Sequence, residues 1–317
     1  MNNPLTELRH ALGKERRKIT ASSIASKEVN IAKKFVGGGT VTSTLLVAHA
    51  LEKGMGIRNV KKGYGIEKAN NLCELLQELK AAGRENEYAY QEGLAVLWAY
   101  IRFQESTGVD VGEIRVQAEK LGASAIMNAG YRVISKEELT NGTDIDFGAF
   151  LGSKHSVRKM TEQEITKDEI ETAIRYAGRS PSACNRQPSK VYYSLDKERN
   201  RALSKLVPGN KGFNDDIPYY CVVTADRTLF GSNEMFQWFV NGGIFVGYFV
   251  LALHSLGIGS CVFQWPAFNE QEESLRNLIH ADENEAIIAI VGYGKYPNEA
   301  KCICAERKPI EEVASAF

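Results

Sequence analysis

The sequence predicts two differently built parts: a mainly α-helical region over residues 1–145, then an α/β or α+β unit over residues 146–317. Two observations carry this. Of the 8 prolines, only Pro4 precedes residue 181, and a long stretch free of proline permits helix. Apolar residues also recur at helical spacing in the first part, whereas short aromatic and β-branched runs enter in the second. A chain of 317 residues suits about two domains at ~150 residues each.

In chain order, Thr42–Lys53 predicts a helix with Leu45, Leu46, His49 and Ala50 on one face. Ile66–Ala81 places Ala69, Leu72, Cys73, Leu76 and Leu79 at helical spacing; Tyr88–Phe103 and Val111–Leu121 continue the pattern. Asp168–Gly178 reads as a helix opened by acidic residues. Lys190–Leu195, Tyr219–Thr224, Gly259–Phe263 and Ala286–Tyr293 read as strands. The run Phe236–Phe263 is long enough to span a membrane, but Gln237, Asn241, His254 and Ser255 interrupt it. The nearest cations, Arg227 and Arg276, set no orientation, so a buried core helix ending near Gly257 is the better reading.

Composition narrows the function classes. Lys+Arg 39 against Asp+Glu 39 leaves no basic excess for a general nucleic-acid binder. Six cysteines in so long a chain do not make a disulfide scaffold, and the N-terminus has no apolar secretory stretch, so a cytoplasmic protein is expected.

Several motifs have a modest reading. Gly37-Gly38-Gly39-Thr40 lacks the lysine of a phosphate-binding loop and reads as a turn before a helix. His49 and Glu52 have metal-ligand spacing without a second pair, and no metal is expected. Cys302 and Cys304 form a lone pair of thiols, with a redox role open. A stronger constellation is distributed. Lys154-His155-Ser156-Val157-Arg158 offers two cations and a hydroxyl to an anion. The loop Ser180 to Pro188 places Ser182, Asn185 and Gln187 where they suit the edge of a planar heterocycle. Gly292-Tyr293-Gly294-Lys295 follows a strand, where glycine would let the backbone approach a ligand, and Arg307 comes shortly after.

Four of these segments, in this order, resemble the flavin-dependent nitroreductase family: KHSVRKM, SPSACNRQP, the NGGIFVGYFVLALHSLGIGSC helix with its glycine exit, and the VGYGK…RKP tail. The resemblance covers roughly residues 146–317. It implies an α+β fold with a mixed sheet flanked by helices, and a homodimer holding FMN at its interface. It implies an enzyme that oxidises NADH or NADPH and reduces a small organic acceptor by ping-pong hydride transfer, the flavin carrying the reaction. No catalytic side chain is singled out.

By the same resemblance, Lys154, Ser156 and Arg158 hold the FMN phosphate and ribityl chain, closed by Arg307 with Lys295. Pro181, Ser182, Asn185 and Gln187 face the ring or ribityl portion. Asn214, Gln264, Trp265 and Gly292 lie nearby, the segment at Gln264 and Trp265 at the N5 edge. Lys154 stands where the family has arginine, Met160 where it has an aromatic, Ser189 where tryptophan is frequent, and Tyr248 where asparagine is common. The region before residue 146 resembles an extra helical segment of some members and would cap the cleft or narrow substrate choice. The competing reading is a flavin-binding sensor or partner-binding module with little turnover; a helical scaffold without flavin is a third.

Overall fold

The computed structural model describes residues 23, 25–37, 39–57, 59–126, 128–266, 271–303 and 307–317. A helix over residues 25–35 (α1) precedes four longer ones: α2 (Thr40–Gly56), α3 (Ile66–Ala81), α4 (Tyr88–Ser106) and α5 (Gly112–Leu121). Leu72, Leu76, Leu94, Leu97 and Tyr100 of α3 and α4 are fully buried, and with Leu51 and Met55 of α2 and Ile114 of α5 they form one apolar core. Burial of each such leucine is worth ~2 kcal/mol.

The face of α2 differs from the sequence reading. Leu45, Ala48, Leu51 and Met55 are buried, while Leu46 is exposed and His49 and Ala50 are half-buried. The stripe is set by the two helices that α2 must cover, α3 and α4, which the sequence of α2 alone does not specify. Thr42 and Thr44 join the buried face because their hydroxyls reach carbonyls, Thr228 at 2.7 Å and Thr40 at 2.7 Å.

After the short helices α6 (Lys136–Leu139) and α7 (Phe147–Ser153), the second part is α+β. It contains α8 (Lys167–Ala177), β1 (Ser189–Tyr193), α9 (Lys197–Ser204), β2 (Tyr219–Asp226), α10 (Gln237–Ser255), β3 (Ile258–Gln264), α11 (Glu272–Ile279) and β4 (Glu285–Lys295). The strands lie in the order β1-β2-β4-β3, each pair antiparallel. The parallel component is a single bridge, Ser156 to Ser260. Thr166 and Glu169 cap α8 reciprocally, as its acidic opening suggests.

α8 and α10 cover one face of the sheet through Ile170, Phe245, Phe249 and Leu253 against Cys221, Val223, Val291 and Tyr293. The other face packs Val157, Met160, Leu203, Leu275 and Phe263 against Tyr220, Val222 and Ile290. α10 is long and apolar enough to cross a membrane, yet Trp238, Asn241, Phe245, Phe249 and Leu253 make it a core helix on that side. Gly242 lets α10 touch β4: a Cβ there would meet Ile288 Cγ1 at 2.5 Å. α1 docks on this second part, where Glu28 receives two bonds from the nearly buried Arg227, at 2.8 and 3.0 Å, and one from Trp238 Nε1 at 3.2 Å.

Candidate functional site

Three cations gather at one end of the sheet. The Ser156–Ser260 bridge and the Val157 N–H donating to the Ser260 carbonyl at 3.0 Å tie residues 154–158 to β3. Lys154 and Arg158 both act electrostatically on the Cys261 thiol, which burial nonetheless pushes up. Arg307 acts on Lys154, whose ammonium is lowered chiefly by burial and further by that neighbour. Among the described residues no carboxylate lies within ion-pair distance of Lys154, Arg158 or Arg307. Arg158 instead lies over the Phe213 ring at 5.8 Å and lines a cleft of ≈ 370 Å³ with Cys261 and Gln264. Unpaired cations that repel one another are the electrostatics of an anion site.

Two expected members are elsewhere. Lys295 is bound to Glu169, whose carboxyl that lysine holds down. It pairs with Ile258 on β3, whereas Cys261 pairs with Gly292; strand parity therefore puts Lys295 on the α8–α10 face, away from the cations. Gly292 does not open the backbone to a ligand: a Cβ there would meet Ile217 Cγ2 at 2.9 Å and Phe263 Cε2 at 3.1 Å, so protein packing occupies that space. Asn214 turns its amide to Asp215 at 2.9 Å, while Phe213 beside it reaches Arg158. Trp265 packs into the core, its buried Nε1 without a partner among the described residues. Cys302 packs at the edge of that core, and Cys304 lies outside the described residues, as does Gly38.

The Ser180 to Pro188 loop stands at the other end of the sheet. Pro181 is exposed, and Ser182 and Gln187 line a cleft of ≈ 460 Å³ together with Asn241 and Phe245. Cys184, Asn185 and Gln187 have φ of 50, 52 and 49, a left-handed conformation that Asn tolerates and Cys and Gln rarely adopt. Arg186, absent from the sequence reading, anchors the loop. Its guanidinium is buried, donates to Glu234 at 2.5 and 2.7 Å and to the Leu229 carbonyl at 2.7 Å, and covers the Phe230 ring at 4.7 Å. Nothing in the sequence distinguishes Arg186 from a surface arginine; its burial alone does.

α2 and α4 lie against this loop. Gln187 Nε2 donates to the Tyr88 hydroxyl at 2.6 Å. Beneath it, His49, Glu52, Glu92, Cys184 and Asn185 border about 10 Å³ of free space. His49 Nδ1 is 3.9 Å from Glu52, but the described residues contain no group of three metal-ligating side chains. Burial, with Glu52 adding repulsion, pushes Glu92 up to about 7. A carboxyl raised above its usual 4.5 binds its proton more tightly in the folded chain, so its contribution to stability declines as pH rises from about 4.5 to 7. Glu92→Gln should therefore raise Tm at pH 8 and change it little at pH 5; an equal shift at both would contradict this. Thermal melts at the two pH values decide.

The sequence comparisons fall on this second part. The nitroreductase family model matches residues 151–208 and 193–295. A protein of Archaeoglobus fulgidus described as an NADH dehydrogenase/NAD(P)H nitroreductase is 27% identical over 152 residues, which is 47% of this chain and 84% of that one. An FMN reductase [NAD(P)H] of Bacillus subtilis is 25% identical over 138 residues, 38% of this chain and 55% of its own length. The solved FMN-dependent nitroreductase of Clostridium difficile superposes with a TM-score of 0.43 at 23% identity, covering 49% of this chain and 90% of that one. Lys154, Arg158 and the Ser180 to Pro188 loop fall within the matched residues, Arg307 lies beyond them, and over residues 151–295 the chain matches the nitroreductase family.

Proposed function

We propose that the chain is an FMN-dependent NAD(P)H oxidoreductase that reduces a small organic acceptor, a nitro compound, quinone or similar, by ping-pong hydride transfer. The observation that carries this reading is the unpaired group Lys154, Arg158 and Arg307, the first two inside the family-matched region and the third beyond its end, which fits a phosphate. FMN, when bound, supplies the hydride chemistry. The chain's own residues would place it: the three cations at the phosphate, Ser156 on the ribityl side, Gln264 and Trp265 beside the cleft, and Pro181, Ser182, Asn185 and Gln187 at the ring. Lys295 and Gly292 are left to structural tasks.

In one chain these two groups stand apart. Ser260 pairs with Tyr293 and Ser189 is in register with Ala225 and Ala286, levels of β4 roughly 20 Å apart along the strand. We infer that a full site takes the cations of one copy and the loop of another. The exposed face of α10 supports this, because Val240, Ile244 and Tyr248 form an uncovered apolar stripe at four-residue spacing. Ile244→Asp should convert a dimer into a monomer with weakened flavin retention, read by light scattering. A wild-type chain that is monomeric with FMN bound would overturn the homodimer. The division at residues 145/146 and a cytoplasmic location go with the same reading.

Steady-state oxidation of NADH and NADPH with a quinone or nitroaromatic acceptor tests the enzyme against the alternative. Turnover supports the oxidoreductase. FMN that binds tightly and is never reduced supports a sensor or partner-binding module.

A further inference from the structure

The task of the helices before residue 146 is visible at one contact. Within the second part, the loop at 180–188 is held at Ala183, whose N–H donates to Asn241 Oδ1 at 2.7 Å, and at Arg186. The Gln187 N–H is held by Ser182 Oγ at 3.0 Å. None of these ties fixes the Gln187 side chain. Its Nε2 has a strong partner in the Tyr88 hydroxyl at 2.6 Å and a weak one in the Asn185 carbonyl at 3.4 Å. Tyr88 is the first residue of α4, so the side chain is held from outside its own domain.

The contact is suited to positioning. Tyr88 starts a helix whose next turns, through Leu94 and Leu97, are in the core, and a short aromatic side chain loses little freedom when it holds a partner. The space between α2, α4 and residues 184–185 leaves room for about one water at most. With Nε2 committed to Tyr88, the Gln187 carbonyl oxygen has no protein partner among the described residues, and the residue lines the ≈ 460 Å³ cleft.

We propose that Tyr88 is a positioning residue of the site: its hydroxyl fixes the Gln187 amide at the cleft wall with the carbonyl oxygen free to accept from an N–H or O–H of the acceptor bound beside the flavin. The N-terminal helices thereby tune the site from outside the flavin domain. This rests on the oxidoreductase reading above.

The test is a double-mutant cycle in the full chain, with Tyr88→Phe, Gln187→Ala and both together. Each single variant should raise the acceptor KM about five- to tenfold, the effect of one neutral hydrogen bond, with a smaller change in kcat. The double variant should be no worse than either single one, and none should lose more than about tenfold in FMN affinity, the effect of one neutral hydrogen bond. Losses that multiply in the double variant, or wild-type KM in Tyr88→Phe, would overturn the inference while leaving the flavin reading intact. Wild-type protein that takes up no FMN would overturn both. A melt of each variant separates the two roles: lowered Tm with unchanged KM marks Tyr88 as merely structural and also overturns the inference.

Discussion

Glu234→Ala should destabilise the protein by about 3–5 kcal/mol, the cost of leaving a buried charge without its partner. The Arg186 side chain is 0% exposed, so its guanidinium depends on the Glu234 carboxylate, itself 27% exposed, for its charge partner. The remaining partners are the Leu229 and Ala183 carbonyls at 2.7 and 2.9 Å, which accept hydrogen bonds but carry no full charge. Glu234 also accepts from the Gly231 N–H at 2.8 Å, and that turn would loosen too. At ~2–4 °C per kcal/mol for a unit of this size, Tm should fall by about 6–20 °C. A change of less than about 2 °C would contradict the account. The Arg186 hydrogen bond holds the Glu234 carboxyl below its usual range, so the pair stabilises above about pH 4.5 and fades as pH falls through the lowered value. The Tm gap between wild type and variant should narrow accordingly in acid.

Arg158→Ala should weaken FMN retention by about 10- to 150-fold, the loss of one charge-assisted contact worth ~1.5–3 kcal/mol. Arg158 makes no ion pair among the described residues, so its removal leaves no carboxylate there without a partner; its ring contact is with Phe213. Lys295→Ala is the internal control. That lysine is bound to Glu169 on the other face of the sheet, and its loss should lower Tm with little change in FMN affinity. Fluorescence titration of the apoprotein with FMN reads both. Equal weakening by the two substitutions would mean that the cations are not grouped as described.

Much of the fold is legible because period reports burial. α3 and β4 fall within a residue or two of the segments their spacing predicts, and the Phe236–Phe263 run resolves into a core helix and a buried strand. What period cannot report is the partner. The buried face of α2 is rotated from the predicted one because two neighbouring helices define it. α9 and α11 carry few apolar residues, Leu203 and Leu275 among them, and gave the sequence reading little to seize.

The site divides in the same way. Local motifs mark Lys154, Arg158 and the 180–188 loop, but whether Lys295 joins the cations depends on strand parity, and whether Gly292 serves a ligand depends on Ile217 and Phe263 above it. Tyr88 and Gln187, 99 residues apart, meet through packing that no local pattern encodes.

Everything proposed for the site requires that this chain bind FMN and pass hydride from a nicotinamide through it. An absorption spectrum of the purified protein, followed by anaerobic titration with NADPH and with NADH, tests it most directly. A flavin spectrum should bleach stoichiometrically with at least one of the two donors and return on adding an acceptor. Colourless protein that takes up no added FMN, or bound FMN that neither nicotinamide reduces, would contradict it.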